Sequence, residues 1–396
     1  MKKRFVHICE EFEYTWIGKD NGMFPIYAHE VLGYESKIIT CNLKNDLPDE
    51  VRGIEIVKIP RWFKKVKNFL PFIIHLKRIP LYRYICKNAK DIDILMLFHI
   101  TKCSYWRAYF YKKFNPAGKV YIKADFNLDD YKKEIARTEM KPKNIREFFR
   151  KSRETKEYAK RKKLVQIADL ISYETEYAYE VMKDSYAGVS TKGKTMYLAN
   201  GYDDLLIEQK YKIKKYEEKE NIFLTVGRLG TFQKNTEFLL KTLETLDLKD
   251  WKFYFVGSIE KDFNKEIDIF FEKYPEKKEK VIFTGEIKDR DILYDYFNRS
   301  KVFVLPSRWE SFGIVMVEAL AFNNYILTSN TAAAEDITNK QEVGQIFSID
   351  KTDELEKMML EVIGGKIDLK NKEEQILKQK NRFKYSQLIK KIKDIG

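Results

Sequence analysis

Val302-Phe-Val-Leu-Pro-Ser-Arg-Trp-Glu310-Ser-Phe-Gly313-Ile-Val-Met-Val-Glu318-Ala-Leu-Ala321 is the stretch on which the fold turns. An apolar run of strand character ends at Leu305, a loop carries Glu310 and Gly313, and an apolar helical run follows with Glu318 in its first turns. Such a strand–loop–helix unit presents its loop at the carboxyl edge of a parallel sheet, where open α/β sheets take their ligands. Gly313 lets backbone approach closely, and the helix start behind it offers unpaired N–H groups to an anion. Glu318 interrupts the apolar run Ile314–Ala321, so its carboxylate sits either at a wet boundary or among hydrogen-bond donors. The plainer alternative makes Glu318 a helix-edge residue and Glu310 an ordinary loop acid.

Upstream, Ile222-Phe-Leu-Thr-Val-Gly227-Arg228-Leu-Gly230-Thr-Phe-Gln-Lys234-Asn235 repeats the pattern. An Arg at the strand end and a Lys at the next helix start can converge on one diphosphate, the first as a planar fork and the second as a point charge. In a chain with 74 Lys and Arg such a pair is common by chance and is weak by itself. The same alternation of short apolar runs and helix-length segments extends over the whole chain, as in parallel sheets covered by helices. Strands are expected at residues 4–8, 36–40, 54–58, 92–98, 119–124, 170–173 and 195–198, then at 222–226, 252–256, 281–284, 302–305 and 325–328. The fold class is therefore α/β, with two Rossmann-like, doubly wound domains. The expected boundaries are 1–202, a polar linker at 203–220, 221–370, and a C-terminal helix over 371–396. At 396 residues the chain exceeds the ~250 at which single cores stop growing, which agrees with two domains.

Composition narrows the classes. With 44% hydrophobic residues, 27 Phe and 25 Tyr, the chain has ample core material. The four Cys, at positions 9, 41, 86 and 103, form no C-x-x-C pair, which argues against a disulfide framework or thiolate zinc site. No segment reaches the roughly 18 uninterrupted apolar residues of a spanning helix, and His7 and Glu10 interrupt the N-terminal run before a signal-peptide core forms. A soluble or peripheral cytoplasmic protein is expected. Asp91-Ile-Asp93 matches a metal-binding DxD string but opens a strand instead of following one, so it reads as a corner. The four His are scattered, and no metal is expected.

Taken together, the motifs closely resemble the family 4 (group 1) retaining glycosyltransferases of the GT-B fold. Leu198-Ala-Asn200-Gly201-Tyr-Asp203 looks like the family's "NG-V-D" turn, and Arg228 with Lys234 resembles its phosphate-clamping pair after Gly227. Gly257 and Gly285 resemble its donor-binding glycines, and Glu310 to Glu318 reproduces its Glu-x7-Glu. The resemblance implies two domains facing across a cleft and a nucleotide diphosphate sugar as donor. By the same resemblance Arg228 and Lys234 stabilise the leaving diphosphate, Glu310 holds the transferred sugar and Glu318 the ribose. Ser311, Phe312, Gly313 and Ile314 line the phosphates, and no cofactor or metal is needed.

The first half departs from the family. Its usual Gly-Gly loop is replaced by Trp16-Ile-Gly18-Lys19-Asp20-Asn21-Gly22-Met23, in which Gly22 is expected to approach donor phosphates or acceptor. The family's His at a strand end is missing from Val120-Tyr-Ile-Lys123-Ala-Asp125-Phe-Asn127, so Asp125 or Lys123 is expected in its role. His99 is read as a structural hydrogen-bonder. Asn323-Asn324-Tyr325 and Ala332-Ala333-Ala334-Glu335 replace two further motifs, which bears on sugar identity.

The net charge of +14 is concentrated in two stretches. Residues 61–90 carry nine Lys/Arg and no acid, and residues 137–163 carry twelve against four Glu. Aromatics bunched with aliphatics among the cations of 61–90 suit an anionic membrane surface, and the second stretch reads as a long exposed helix on the same face. A helix packed on its own domain with solvated charges is the alternative. No nucleic-acid motif is present, so nucleic acid is not an expected partner. The function expected is retaining transfer of a sugar to a glycan or lipid-linked glycan acceptor in bacterial surface polysaccharide synthesis, at the inner face of the cytoplasmic membrane. A GT-B sugar-nucleotide epimerase, a phosphorylase and a non-catalytic GT-B scaffold are the rival readings.

Overall fold

The computed structural model describes residues 2–44, 46–62, 76–125, 131–132, 136 and 144–395. They form two compact units: Met1–Asn200 with Tyr385–Gly396, and Gly201–Lys384.

In the first unit the strands are β1 (Arg4–Ile8), β2 (Glu35–Thr40), β3 (Glu50–Val51), β4 (Ile54–Lys58), β5 (Ile94–Phe98), β6 (Lys119–Ala124) and β7 (Leu170–Tyr173). The hairpin strands β8 (Ser185–Tyr186) and β9 (Val189–Ser190) follow, then β10 (Thr195–Tyr197). The sheet order is β10-β7-β6-β5-β1-β2-β4-β3, parallel except for β3 against β4. Residues 94–97 of β5 are all buried, as required of a strand covered on both faces. The chain winds outward from β1 through β2 to β4 and then returns to place β5 on the other side of β1, so the topological switch lies between β1 and β5.

In the second unit β11 (Glu220–Val226), β12 (Lys252–Val256), β13 (Val281–Gly285), β14 (Ser300–Leu305), β15 (Tyr325–Ser329) and β16 (Gly344–Phe347) form one sheet. Its order is β13-β12-β11-β14-β15-β16, entirely parallel, with the switch between β11 and β14. Phe255 stacks on Phe283 at 4.4 Å between ring centroids, and Phe223 lies 4.6 Å from Trp251. Each such ring, fully buried, contributes on the order of 2–3 kcal/mol from burial alone.

Every strand expected from sequence is present, with ends shifted by up to two residues. The short strands β3, β8, β9 and β16 carry too few apolar positions to show a period and were not anticipated. The domain boundaries need correcting. The break falls after Asn200, and residues 203–220 are no separate linker: they contain the helix Asp204–Lys210, capped by Asp203, and belong to the second unit. The C-terminal segment is not one helix. Glu373–Asn381 packs in the second unit, whereas Tyr385–Ile395 rejoins the first, where the Tyr385 ring meets Phe24 and Tyr27.

Asp91 and Asp93 do form a corner before β5. Asp91 bonds the Arg4 guanidinium at 2.7 Å, and Asp93 accepts from the Arg4 backbone N–H at 2.7 Å, which ties both to the amino edge of the sheet. Of the basic stretches, residues 63–75 and 137–143 lie outside the described residues. The rest of the second forms the helix Ile145–Ile167, with Phe148 and Phe149 exposed. Among the described residues no helix is long and apolar enough to cross a membrane.

Candidate functional site

At the carboxyl edge of the second sheet, β13, β12 and β11 end in Gly285, Gly257 and Gly227. The Gly257 N–H donates to the Gly285 carbonyl and the Gly227 N–H to the Val256 carbonyl, each at 3.0 Å. Gly257 has φ +142°, and a Cβ there would stand 1.8 Å from the Gly227 carbonyl oxygen. No side chain fits at Gly257, and with glycine at all three strand ends the edge presents backbone to a ligand.

Two loops meet across the switch point. The loop after β11 carries Arg228 and Lys234, and the loop after β14 carries Glu310. Lys234 Nζ lies 2.5 Å from Glu310 Oε1, with both side chains mostly buried, and Ser307 Oγ donates to the same oxygen at 2.7 Å. Gln233 ties the loops again: its amide donates to the Trp309 carbonyl at 3.1 Å, and its oxygen accepts from Arg228 Nη2 at 3.2 Å. Buried Asn235, in left-handed conformation at φ 51°, donates to the Pro306 carbonyl at 3.1 Å. Arg228 itself is exposed.

The loop then runs through half-buried Ser311 and buried Phe312 to Gly313, whose φ of +83° turns the chain into the helix Ile314–Ala321. The first N–H groups of a helix have no partners within it, and this helix opens at that loop, its Met316 N–H donating to the Gly313 carbonyl at 2.9 Å. Glu318, one turn on, does not meet water alone: Arg290 Nη2 bonds its Oε1 at 2.6 Å and also donates to Tyr294 Oη at 2.5 Å. Burial works against the Arg290 charge, but the Glu318 carboxylate and then Tyr294 outweigh it and raise its pKa above the ordinary value. Chemically, this edge offers two cations and a helix start to a diphosphate, and two fixed carboxylates to hydroxyl groups.

The expected residues of the first unit sit at the carboxyl edge of the other sheet. Gly22 lies in the first turn of the helix Asp20–Glu30, where a Cβ would stand 2.2 Å from the Ile17 carbonyl oxygen. Asp125 follows β6, and its carbonyl accepts from His99 Nδ1 at 3.2 Å. His99 holds φ 59°. Behind Asp125 is a buried polar group that spacing alone does not reveal. Lys123 is fully buried, its ammonium without a hydrogen-bond partner among the described residues and 5.1 Å from the centroid of the Phe24 ring. Glu174, after β7, accepts from Asn200 Nδ2 at 2.8 Å. Burial first, then the nearby Asp125, holds the Glu174 carboxyl well above the usual carboxylate range, against the opposing pull of Lys123. Burial likewise raises Asp20. His7, buried against Asn21, is pushed down to about 4 by desolvation.

Residues 207–382, nearly the whole second unit, match the family model of Glycosyl transferases group 1. The likeness to that family therefore lies in the second unit. The chain is 30% identical over 202 residues to a protein of Klebsiella pneumoniae described as an uncharacterized 41.2 kDa protein in the cps region, covering 50% of this chain and 52% of that one. It is 30% identical over 221 residues to the capsular polysaccharide biosynthesis glycosyltransferase CapH of Staphylococcus aureus, covering 52% and 57%. The chain thus spans about half the length of the curated relatives it matches. In three dimensions it aligns with Anabaena HepE, solved in complex with UDP-glucose, at a TM-score of 0.65 and 14% identity over 98% of both chains. That likeness shows the fold: two α/β domains on parallel sheets, the GT-B class.

Sequence reasoning missed Arg290, Tyr294, Ser307 and Gln233. The last two lie inside the stretches that were singled out. Arg290 stands 28 residues before its partner, and only the adjacency of strand ends brings the two together.

Proposed function

We propose that the chain transfers a glycosyl group from a nucleotide diphosphate sugar to a glycan or lipid-linked glycan acceptor in the assembly of a bacterial surface polysaccharide. The observation that carries the proposal is the contact of Lys234 with Glu310 across the β11/β14 switch, which fixes a cation and an acid from two loops over one glycine-lined edge. In the proposed roles Lys234 and Arg228 take up the charge that grows on the diphosphate as the glycosyl bond breaks. Glu310 holds the transferred sugar, and Glu318, steadied by Arg290, holds the ribose. Gly227, Gly257, Gly285 and Ser311–Ile314 approach the nucleotide through backbone, and Asp125 stands at the acceptor side near Gly22.

Transfer proceeds with retention and without a metal in this reading, which rests on the family resemblance. The relatives support the substrate class: one structural neighbour holds UDP-glucose, and one relative is named for capsule synthesis. Work at the inner membrane face is proposed from the basic stretches 61–90 and 137–163.

The test is donor turnover by the purified chain, after a screen of UDP-, GDP- and dTDP-sugars for a rise in melting temperature. Lys234→Ala and Glu310→Ala are each expected to lower turnover by about 10²–10³ while the fold stays intact, and EDTA to leave the rate unchanged. Equal rates in the wild type and both variants would sink the proposal.

A further inference from the structure

Three arginines surround one carboxylate at the switch point of the first sheet. Glu10, two residues past β1, is 6% exposed. Arg78 Nε reaches both of its oxygens at 2.8 Å, Arg61 Nη2 reaches Oε2 at 2.8 Å, and Arg107 Nη2 bonds Oε1. These side chains come from distant places: Arg61 from the loop after β4, Arg78 from the N-cap of the helix Ile79–Asn88, and Arg107 from the helix Lys102–Phe114 after β5. Among the described residues the one second acid bonded to the group is Glu11, 66% exposed, which pairs with Arg61 from outside.

The charges do not balance. Three guanidiniums face one buried and one exposed carboxylate. Among the described residues, the neighbouring thiols and hydroxyl that could add negative charge stay neutral: burial pushes the Cys9 thiol up to about 12, Cys41 up to about 11 and the Tyr82 hydroxyl up to about 12. Nor can residues 61–90 contribute, because they contain no acid. Arg107 is buried and Arg61 and Arg78 are partly so; unbalanced cations shielded from water are costly, and an arrangement that keeps three together is explained by an anion that completes it. Two hydrogen-bond donors also remain unused. Among the described residues, Nε of Arg107, 8% exposed, and the hydroxyl of Tyr82 are buried without a partner.

The geometry points to a phosphate-binding site in the first unit, formed by Arg61, Arg78 and Arg107 and anchored by Glu10, that takes a phosphate or diphosphate group of the acceptor. This deepens the transferase reading and rests on it for the word acceptor; the binding of phosphate does not. Three features fit the ligand. Guanidinium forks match phosphate oxygens in pairs, the position is the switch point where such sheets bind ligands, and the start of the helix Lys102–Phe114 adds the positive end of its dipole. Glu10 in this arrangement is a positioning residue: it holds the three forks together and leaves their other N–H groups for the ligand.

The experiment uses the full chain with its donor clamp removed by Arg228→Ala and Lys234→Ala, so that pyrophosphate cannot bind there. Inorganic pyrophosphate, titrated calorimetrically, is expected to bind this protein. Adding Arg78→Gln or, at the more exposed position, Arg61→Gln should weaken binding about tenfold or more. Arg78→Lys should restore part of it, which a purely structural role would not require. Farnesyl diphosphate and a sugar 1-phosphate, run as separate arms, distinguish a lipid-borne phosphate from a soluble one. In the otherwise wild-type enzyme Arg78→Gln should raise KM for a phosphorylated acceptor and leave donor KM unchanged. Pyrophosphate binding that is absent from the clamp-less protein, or unaltered in both arginine variants, overturns the site. A wild-type chain that shows no transfer while pyrophosphate binding to the clamp-less protein stays intact overturns the transferase reading alone.

Discussion

The two units have the same layered plan and arrange their carboxyl edges by opposite means. In the second, the edge is bare backbone at Gly227, Gly257 and Gly285, with charges on loops that pair across one switch point. Where this unit does bury a cation it is structural: Lys219 donates to the carbonyls of Phe297, Asn298 and Ser300. In the first unit the edge is packed with buried ionisable groups, namely His7, Glu10, Asp20, Lys123 and Glu174; among the described residues the Lys123 ammonium and one Glu174 oxygen have no hydrogen-bond partner. A ligand that is the same for many enzymes can be held by backbone and a few cations at fixed spacing. A ligand particular to one enzyme needs side chains chosen for it, and their desolvation has to be offset by the fold.

The comparison can be broken most directly at Gly257. Gly257→Ala places a methyl against the Gly227 carbonyl and at a φ that L residues avoid, so the second unit should lose about 4 kcal/mol and its nucleotide binding with it. A melting curve indistinguishable from wild type would show that the glycine row is not a close backbone surface.

Acid titration tests the first unit. His7 has its pKa lowered in the folded state to about 4 from 6.5, so between those values the unfolded chain binds the extra proton and stability falls as pH falls. The loss should approach about 3 kcal/mol by pH 4. Glu10, lowered to about 2, extends the loss below pH 4.5, because it stabilises only while charged, as His7 does only while neutral. Urea midpoints measured from pH 7 to 4 should decline, and His7→Gln should flatten the decline; a slope unaffected by that substitution would remove His7 as its source.

The smallest effect is expected at Arg290. Arg290→Gln frees Glu318 from its ion pair and should raise donor KM roughly fivefold to tenfold with kcat little changed, since it steadies a binding group away from the breaking bond. A drop in kcat alone would move Arg290 into the chemistry.

The second unit's site was largely legible because its parts are short and local: a strand, a glycine and a charge within about ten residues, twice over. Glu310 and Glu318 share one loop and helix, and Lys234 follows Gly227 by one turn and a loop. The first unit resisted the same reading. Asp125 was singled out for its place after β6, but its neighbours Glu174 and Asn200 lie 49 and 75 positions farther on, and nothing local to Glu174 marks it as buried. The domain boundary failed similarly, because the return of Tyr385 to Phe24 and Tyr27 has no periodic signature.

Hydrophobic period and strand–glycine–helix punctuation, both properties of a few consecutive residues, were enough for the sequence to determine two parallel-sheet domains and the place of the proposed donor loops. Tertiary structure alone decided which charges meet. Glu10 gathers Arg61, Arg78 and Arg107, and Arg290 finds Glu318, because parallel strands bring together ends that lie far apart in the chain. Electrostatic partnership depends on distance and burial, and neither is a property of local sequence.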